Sequence, residues 1–156
     1  MKIPDNVANF FYTQGFVIVS TIDSKGYPHA SCKDIVEINK ELGKVFILDL
    51  YRGKTHEDLR SNPHINITAV DEHKFVGFSL KGKAHAFAEK ELSQELIEAW
   101  DTRITSRLTQ RLLKNIHEEK GHTKHPEALL PKPEYLIEID VEEIIDLTPH
   151  HIKQGV

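Results

Sequence analysis

Four consecutive residues, Arg52, Gly53, Lys54 and Thr55, combine the groups that a phosphate monoester needs. Arginine and lysine bring positive charge, threonine brings a hydroxyl donor, and glycine lets the backbone come close to an anion. The quartet lies between an apolar run, Val45 to Leu50, and a short helical segment that stops before Asn62 and Pro63. The first amides of that helix would point at the same anion. A solvated Lys-Thr turn leading into a surface helix is common, so the quartet alone names no ligand.

Two other groups of residues invite chemistry. His117, His122, His125, His150 and His151 offer imidazoles to zinc or to haem iron, but their spacing fits no recognised ligand pattern. The expectation is no metal site and a solvated His-bearing loop. Cys32 is the single cysteine, so an intrachain disulfide and a cysteine-based zinc site are both excluded. A half-buried core thiol is expected there rather than a redox partner, because no second cysteine can resolve it.

The elements that must position these residues follow from pattern. Val7, Ala8, Phe11 and Tyr12 share one face at helical spacing after Pro4 and before Gly15. Phe16 to Asp23 is β-branched, Ser24-Lys25-Gly26 is a turn, and His29 to Ile38 continues extended. Strands are read again at Val45 to Leu50, His64 to Val70 and Phe75 to Ala88, with only the short helix after Lys54 intervening. Such close spacing favours an antiparallel barrel over a parallel α/β sheet, whose crossovers need longer helices.

Ser93 is an N-cap for a segment in which Leu96, Trp100, Ile104, Leu108, Leu112 and Ile116 recur every four residues. A strict four-residue repeat drifts around a straight helix, which predicts a break near Thr102 to Ser106 or a wrap around a partner. Trp100 and the repeat read as core or dimer packing, and Arg103, Arg107 and Arg111 as a solvated face. Pro126, Pro131 and Pro133 mark a loop, Tyr135 to Val141 alternates as a last strand, and a polar tail follows Leu147.

With 156 residues and 39% hydrophobic content, a single domain over 1–156 is expected. The net charge of −4, with both signs interspersed, gives no nucleic-acid footprint. No window approaches the roughly 18 apolar residues of a spanning helix, so no membrane partner is expected and a cytoplasmic location is the default.

In this order the strands resemble the FMN-binding split-barrel family that includes pyridoxamine 5′-phosphate oxidase. The likeness is carried by Gly26-Tyr27-Pro28-His29, by Gly53-Lys54-Thr55, by Leu59 to Pro63 and by Val76 to Ala84, and more loosely by Tyr135 to Leu147. The resemblance implies a mainly β fold with flanking helices, a six-stranded antiparallel split β-barrel over about 16–88 and 134–147, with helices over about 5–14, 54–61 and 93–117. It also implies a homodimer with FMN at the subunit interface. The family's phosphate element falls on Gly53, Lys54 and Thr55 beside Arg52. Its isoalloxazine strand falls on Ser31, Cys32, Lys33 and Asp34, with Lys33 placed to oppose charge near N1 and O2, and its strand end before the turn on Leu48 and Asp49. One of the arginines Arg103, Arg107 and Arg111 would be within reach of the partner subunit's FMN.

The chain departs from the oxidase proper in its last residues, Thr148 to Val156, which contain neither the tryptophan nor the arginine of that enzyme's substrate-holding C-terminus. The glutamine that the family often carries before Gly82 is replaced by the Gly77 to Ser79 run. What the resemblance implies is therefore an FMN-dependent oxidoreductase acting on an unidentified small substrate or redox partner, not a true pyridoxamine 5′-phosphate oxidase. A haem-binding or haem-degrading split barrel and a non-catalytic FMN carrier stand as alternatives, and a deazaflavin in place of FMN is left open.

Overall fold

The structure, a computed structural model, describes residues 1–49, 52–88, 93–116 and 135–153, with backbone only at 107, 108 and 110–116. Its elements run α1 (Asp5–Thr13), β1 (Val17–Ile22), β2 (Pro28–Lys33), β3 (Ile35–Asn39), β4 (Lys44–Asp49), α2 (Lys54–Ser61), β5 (His64–Asp71), β6 (Val76–Ala88), α3 (Gln94–Ile116), β7 (Tyr135–Asp146) and α4 (His150–Lys153). One sheet holds all seven strands in the order β2-β1-β5-β6-β7-β4-β3, and every pairing is antiparallel.

β2 and β3 stand at opposite edges of that order, yet only Asp34 separates them in sequence. A single residue spans less than 4 Å or so of chain, so the sheet must curl until its two edges meet. This produces a mainly β, half-barrel architecture, in line with the antiparallel barrel that the pattern predicts and the split barrel that the resemblance implies. The strand count differs from six because the extended run from Pro28 to Asn39 is cut at Asp34 into two strands.

Alternation decides what fills the barrel. Val17 and Val19 of β1, Val45 and Ile47 of β4, Ile65 and Ile67 of β5, and Ile137 and Ile139 of β7 point inward, and α1 adds Val7, Ala8 and Phe11. The opposite face of β3, β4 and β7 carries Val36, Leu48 and Leu136, covered by Trp100 of α3. Val36 reaches that outer cluster because the β3–β4 register shifts between Ile35 and Glu37. The extra residue lets Ile35 face the core while Val36 faces α3.

Three expectations are corrected. α3 runs without interruption from Gln94 to Ile116, so the break near Thr102 to Ser106 is absent. Part of the polar tail forms α4, which exposes His150 and His151. Arg103 is not a solvated arginine: its guanidinium donates to Asp34 Oδ1 at 3.4 Å and to the carbonyls of Tyr12 at 3.2 Å and Gln14 at 3.3 Å. It clamps α3 to the end of α1 and to the β2–β3 junction. The expected His-bearing loop, with His117, His122 and His125, lies outside the described residues. No helix among the described residues is long and apolar enough to cross a membrane.

Candidate functional site

α2 begins at Lys54, immediately after Gly53, whose extended backbone (φ −91°, ψ −159°) forms the N-cap. Glycine has no side chain to cap the first amides, and a Cβ built there would meet nothing within 4 Å. The first turn of α2 is therefore left without a side-chain cap, beside open space at Gly53. Lys54 and Arg52 are exposed beside it. Leu50 and Tyr51, which lead into the turn, lie outside the described residues.

Thr55 turns the other way. Its side chain is buried, and Thr55 Oγ1 is 2.9 Å from Ser31 Oγ on β2. That bond seats the start of α2 against the strand that carries Ser31, Cys32 and Lys33. The helix is held a second time at Asp58, which is 1% exposed and accepts a hydrogen bond of 2.8 Å from Thr21 of β1. Lys54 Nζ forms an ion pair at 3.0 Å with the other oxygen of Asp58, and this contact with the carboxylate holds the Lys54 ammonium above its usual pKa.

Lys33, at the end of β2, forms an ion pair with Asp49 at the end of β4, and both side chains are about nine-tenths buried. Tyr135, the first residue of β7, donates its hydroxyl to the same Asp49 oxygen at 2.6 Å. The ring of His56 from α2 meets the Tyr135 ring edge-on at 4.6 Å between centroids. Lys33, Asp49, Tyr135 and His56 thus join three strands and α2 into one polar and aromatic cluster.

The sequence-derived residues divide accordingly. Ser31 and Thr55 meet, Lys33 and Asp49 meet, and Asp34 sits behind them on Arg103. Gly53, Lys54 and exposed Arg52 share the open mouth of the turn. Leu48 stands apart, buried beneath Trp100, so only its backbone faces the question of ligand binding. Cys32 is exposed rather than a half-buried core thiol. It pairs with Ile18 on the outward face of β1 and β2, because alternation along β2 puts Ser31 and Lys33 on the other side.

Thr21, Asp58, His56 and Tyr135 were not singled out by sequence reasoning. Asp58 carries the one signal that could have found it, a carboxylate four residues after Lys54 and so on the same helix face. Thr21 also lines a cavity of about 350 Å³ with Ser20, Ile22, Pro28, His64 and Asn66. Among the described residues, no three His, Cys, Asp or Glu side chains gather as a metal site.

A donor-rich turn of this kind, open on one side and bonded to a strand on the other, suits an anionic group carried on a larger ligand. The family model described as pyridoxamine 5′-phosphate oxidase matches residues 3–147. HupZ from Group A Streptococcus shares the fold with a TM-score of 0.64 and 18% identity, over 94% of this chain and 94% of that one. A pyridoxamine 5′-phosphate oxidase-related, FMN binding protein from Nostoc punctiforme matches with a TM-score of 0.54 and 14% identity, over 84% of this chain and 72% of its own. HutZ, the heme storage protein from Vibrio cholerae, matches with a TM-score of 0.54 and 16% identity, over 93% and 94%. No curated protein matches the sequence.

Proposed function

The chain belongs to the pyridoxamine 5′-phosphate oxidase family, and from that premise we propose that it is a flavoprotein that binds FMN and exchanges electrons with a small substrate or redox partner. The observation that carries this reading is the Ser31–Thr55 hydrogen bond, which fixes the uncapped start of α2 against β2. A phosphate held at Arg52, Gly53, Lys54 and the backbone N–H of Thr55, whose hydroxyl is committed to Ser31 rather than free to donate to it, would leave the attached ring system lying along β2. There the backbone from Ser31 to Asp34 would offer donors and acceptors to the flavin's pyrimidine edge. Lys33 would contribute a charge already matched by Asp49. When bound, FMN supplies the electron-transfer chemistry, and the chain's residues bind and orient it.

The reading includes a homodimer. Ile18, Ile22, Ala30 and Cys32 are exposed together on the outward face of β1 and β2, an apolar surface that a second copy would cover. It also takes the protein as cytoplasmic, in keeping with the unpaired thiol of Cys32.

The test is the visible spectrum of the purified protein, before and after incubation with FMN. A flavin band at about 450 nm that stays with the protein through gel filtration is the expected result. A colourless protein that takes up no FMN overturns the reading.

Haem is the second reading, favoured by the exposure of His150 and His151 on α4 and by the fold shared with HutZ, described as a heme storage protein. A Soret band on haem titration that is lost in His150→Ala or His151→Ala supports it; a band that survives both removes these ligands.

A further inference from the structure

Lys54 is an odd residue for its position. It opens α2, where the uncapped amides already carry partial positive charge and where a cation is unfavourable. Lysine placed four residues before an acidic residue is also the weaker orientation of a helical ion pair. Its partner Asp58 is nearly fully buried and is fixed from behind by Thr21, itself 1% exposed. The two ends of the pair therefore differ in freedom. The carboxylate cannot move, whereas the lysine side chain is 39% exposed on a flexible stem and can swing toward the open side of the turn.

Resting on the reading of Arg52 to Thr55 as a phosphate seat, we propose that Asp58 is an internal counter-ion that occupies Lys54 until a phosphate monoester displaces it. Asp58 thereby sets the affinity of the turn for phosphate. In the absence of ligand, Asp58 neutralises a cation that would otherwise sit against the positive end of α2. When a dianion arrives, Lys54 leaves Oδ1 for the phosphate, and Asp58 keeps the Thr21 hydroxyl on Oδ2. The ligand must then compete with a carboxylate that has lost its cation and lies one helical turn away. Asp58 is on this account a positioning residue that restrains binding, not one that touches the ligand.

Asp58→Asn removes the charge and keeps both the shape and an oxygen for Thr21. The expected result is an FMN dissociation constant about three- to tenfold lower, the size of one nearby like charge in a partly solvated site. Riboflavin, which lacks the phosphate, should bind D58N and the unaltered protein alike. The inhibition constant of inorganic phosphate against FMN should fall by a similar factor in D58N. In a Lys54→Ala background the gain from D58N should vanish. An unchanged or weaker FMN affinity in folded D58N, with Lys54→Ala still weakening FMN, overturns the role of Asp58 alone. If Lys54→Ala leaves FMN affinity unchanged, the phosphate seat itself is misplaced and both readings fall. Should D58N not fold, Thr21→Val gives the opposite lever. Without the hydroxyl, Asp58 holds Lys54 more firmly and FMN binding should weaken, while equal or tighter binding overturns the proposal.

Discussion

Lys33 and Asp49 form a largely buried ion pair between β2, one edge of the sheet, and β4, the second strand in from the other edge. The pair spans the line where the curled sheet meets itself, one residue from the Asp34 junction that forces the curl. Tyr135 adds a neutral donor to the same carboxylate from β7. A structural seam and a proposed ligand surface are therefore made from the same residues, and their energetic and functional effects have to be separated by experiment.

Asp49→Ala leaves the Lys33 ammonium buried without its counter-ion and Tyr135 without an acceptor on Asp49. The expected loss is about 3–5 kcal/mol, read from urea unfolding. Tyr135→Phe removes one hydrogen bond to a charged oxygen and should cost about 1.5–3 kcal/mol. The double change Lys33→Met with Asp49→Leu should be much milder than Asp49→Ala, because no charge is then stranded. A double variant as unstable as the single would show that packing at the seam, not charge pairing, dominates.

Lys54→Ala should weaken FMN binding by about 1.5–3 kcal/mol, the worth of a charged hydrogen bond. Thr55→Val should lower stability by about 1 kcal/mol through the lost Ser31 contact and, by loosening the seat of α2 on β2, should weaken FMN binding too. Flavin fluorescence titration of both variants decides the matter. Affinities equal to that of the unaltered protein would place the phosphate elsewhere.

The barrel was legible in the sequence because its strands are β-branched, close together and divided by turn residues such as Gly26 and Gly43, both at positive φ. The start of α2 was legible for a similar local reason, since Gly53, Lys54 and Thr55 are adjacent in the chain. Tyr135 was not, because its partner Asp49 lies 86 residues away and nothing in the alternation of β7 distinguishes a tyrosine that bonds a carboxylate from one that fills the core. Asp34 was read as part of a continuous strand, and its role as the junction between two sheet edges depends on closure, which no local pattern records. Cys32 was misread for want of a phase. β2 alternates weakly polar and small residues on both faces, so its inward side could not be assigned from residue type.

Gly82 tests the second irregularity of the sheet. Between Lys81 and Gly82 the β6–β7 register jumps from Glu143 to Val141, leaving Glu142 as a bulge. A Cβ on Gly82 would lie 2.0 Å from the backbone oxygen of Asp140, so a side chain there must push β7 away. Gly82→Ala is expected to cost about 1–3 kcal/mol or more, the range for overpacking against a rigid neighbour. Gly53→Ala, with open space around its Cβ, should cost far less. Thermal melts of the two variants side by side check the contrast, and equal losses would contradict it.

Lys44 links β4 to β7 by bridging Glu138 and Asp140, the latter at 3.0 Å. Its hydrogen bond to Glu138, then that to Asp140, raises its pKa above the ordinary 10.5. The same ammonium, through its hydrogen bond, lowers Asp140 below 3.8. A raised lysine contributes stability that is complete below pH 10.5 and fades as pH climbs through the folded value. A lowered aspartate contributes stability that is present above pH 3.8 and fades as pH falls through its folded value. Asp140 is 45% exposed, so solvent screens the pair, and Lys44→Met should cost at most about 1 kcal/mol at neutral pH. That difference from the unaltered protein should shrink below pH 3.8 and above pH 10.5. Asp5, Asp23 and Asp146 are also lowered and will keep some acid sensitivity in the variant. Melting curves of both proteins at several pH values test the assignment. Curves that stay parallel through the acid and alkaline limbs would mean that Lys44 takes no part in the pH dependence.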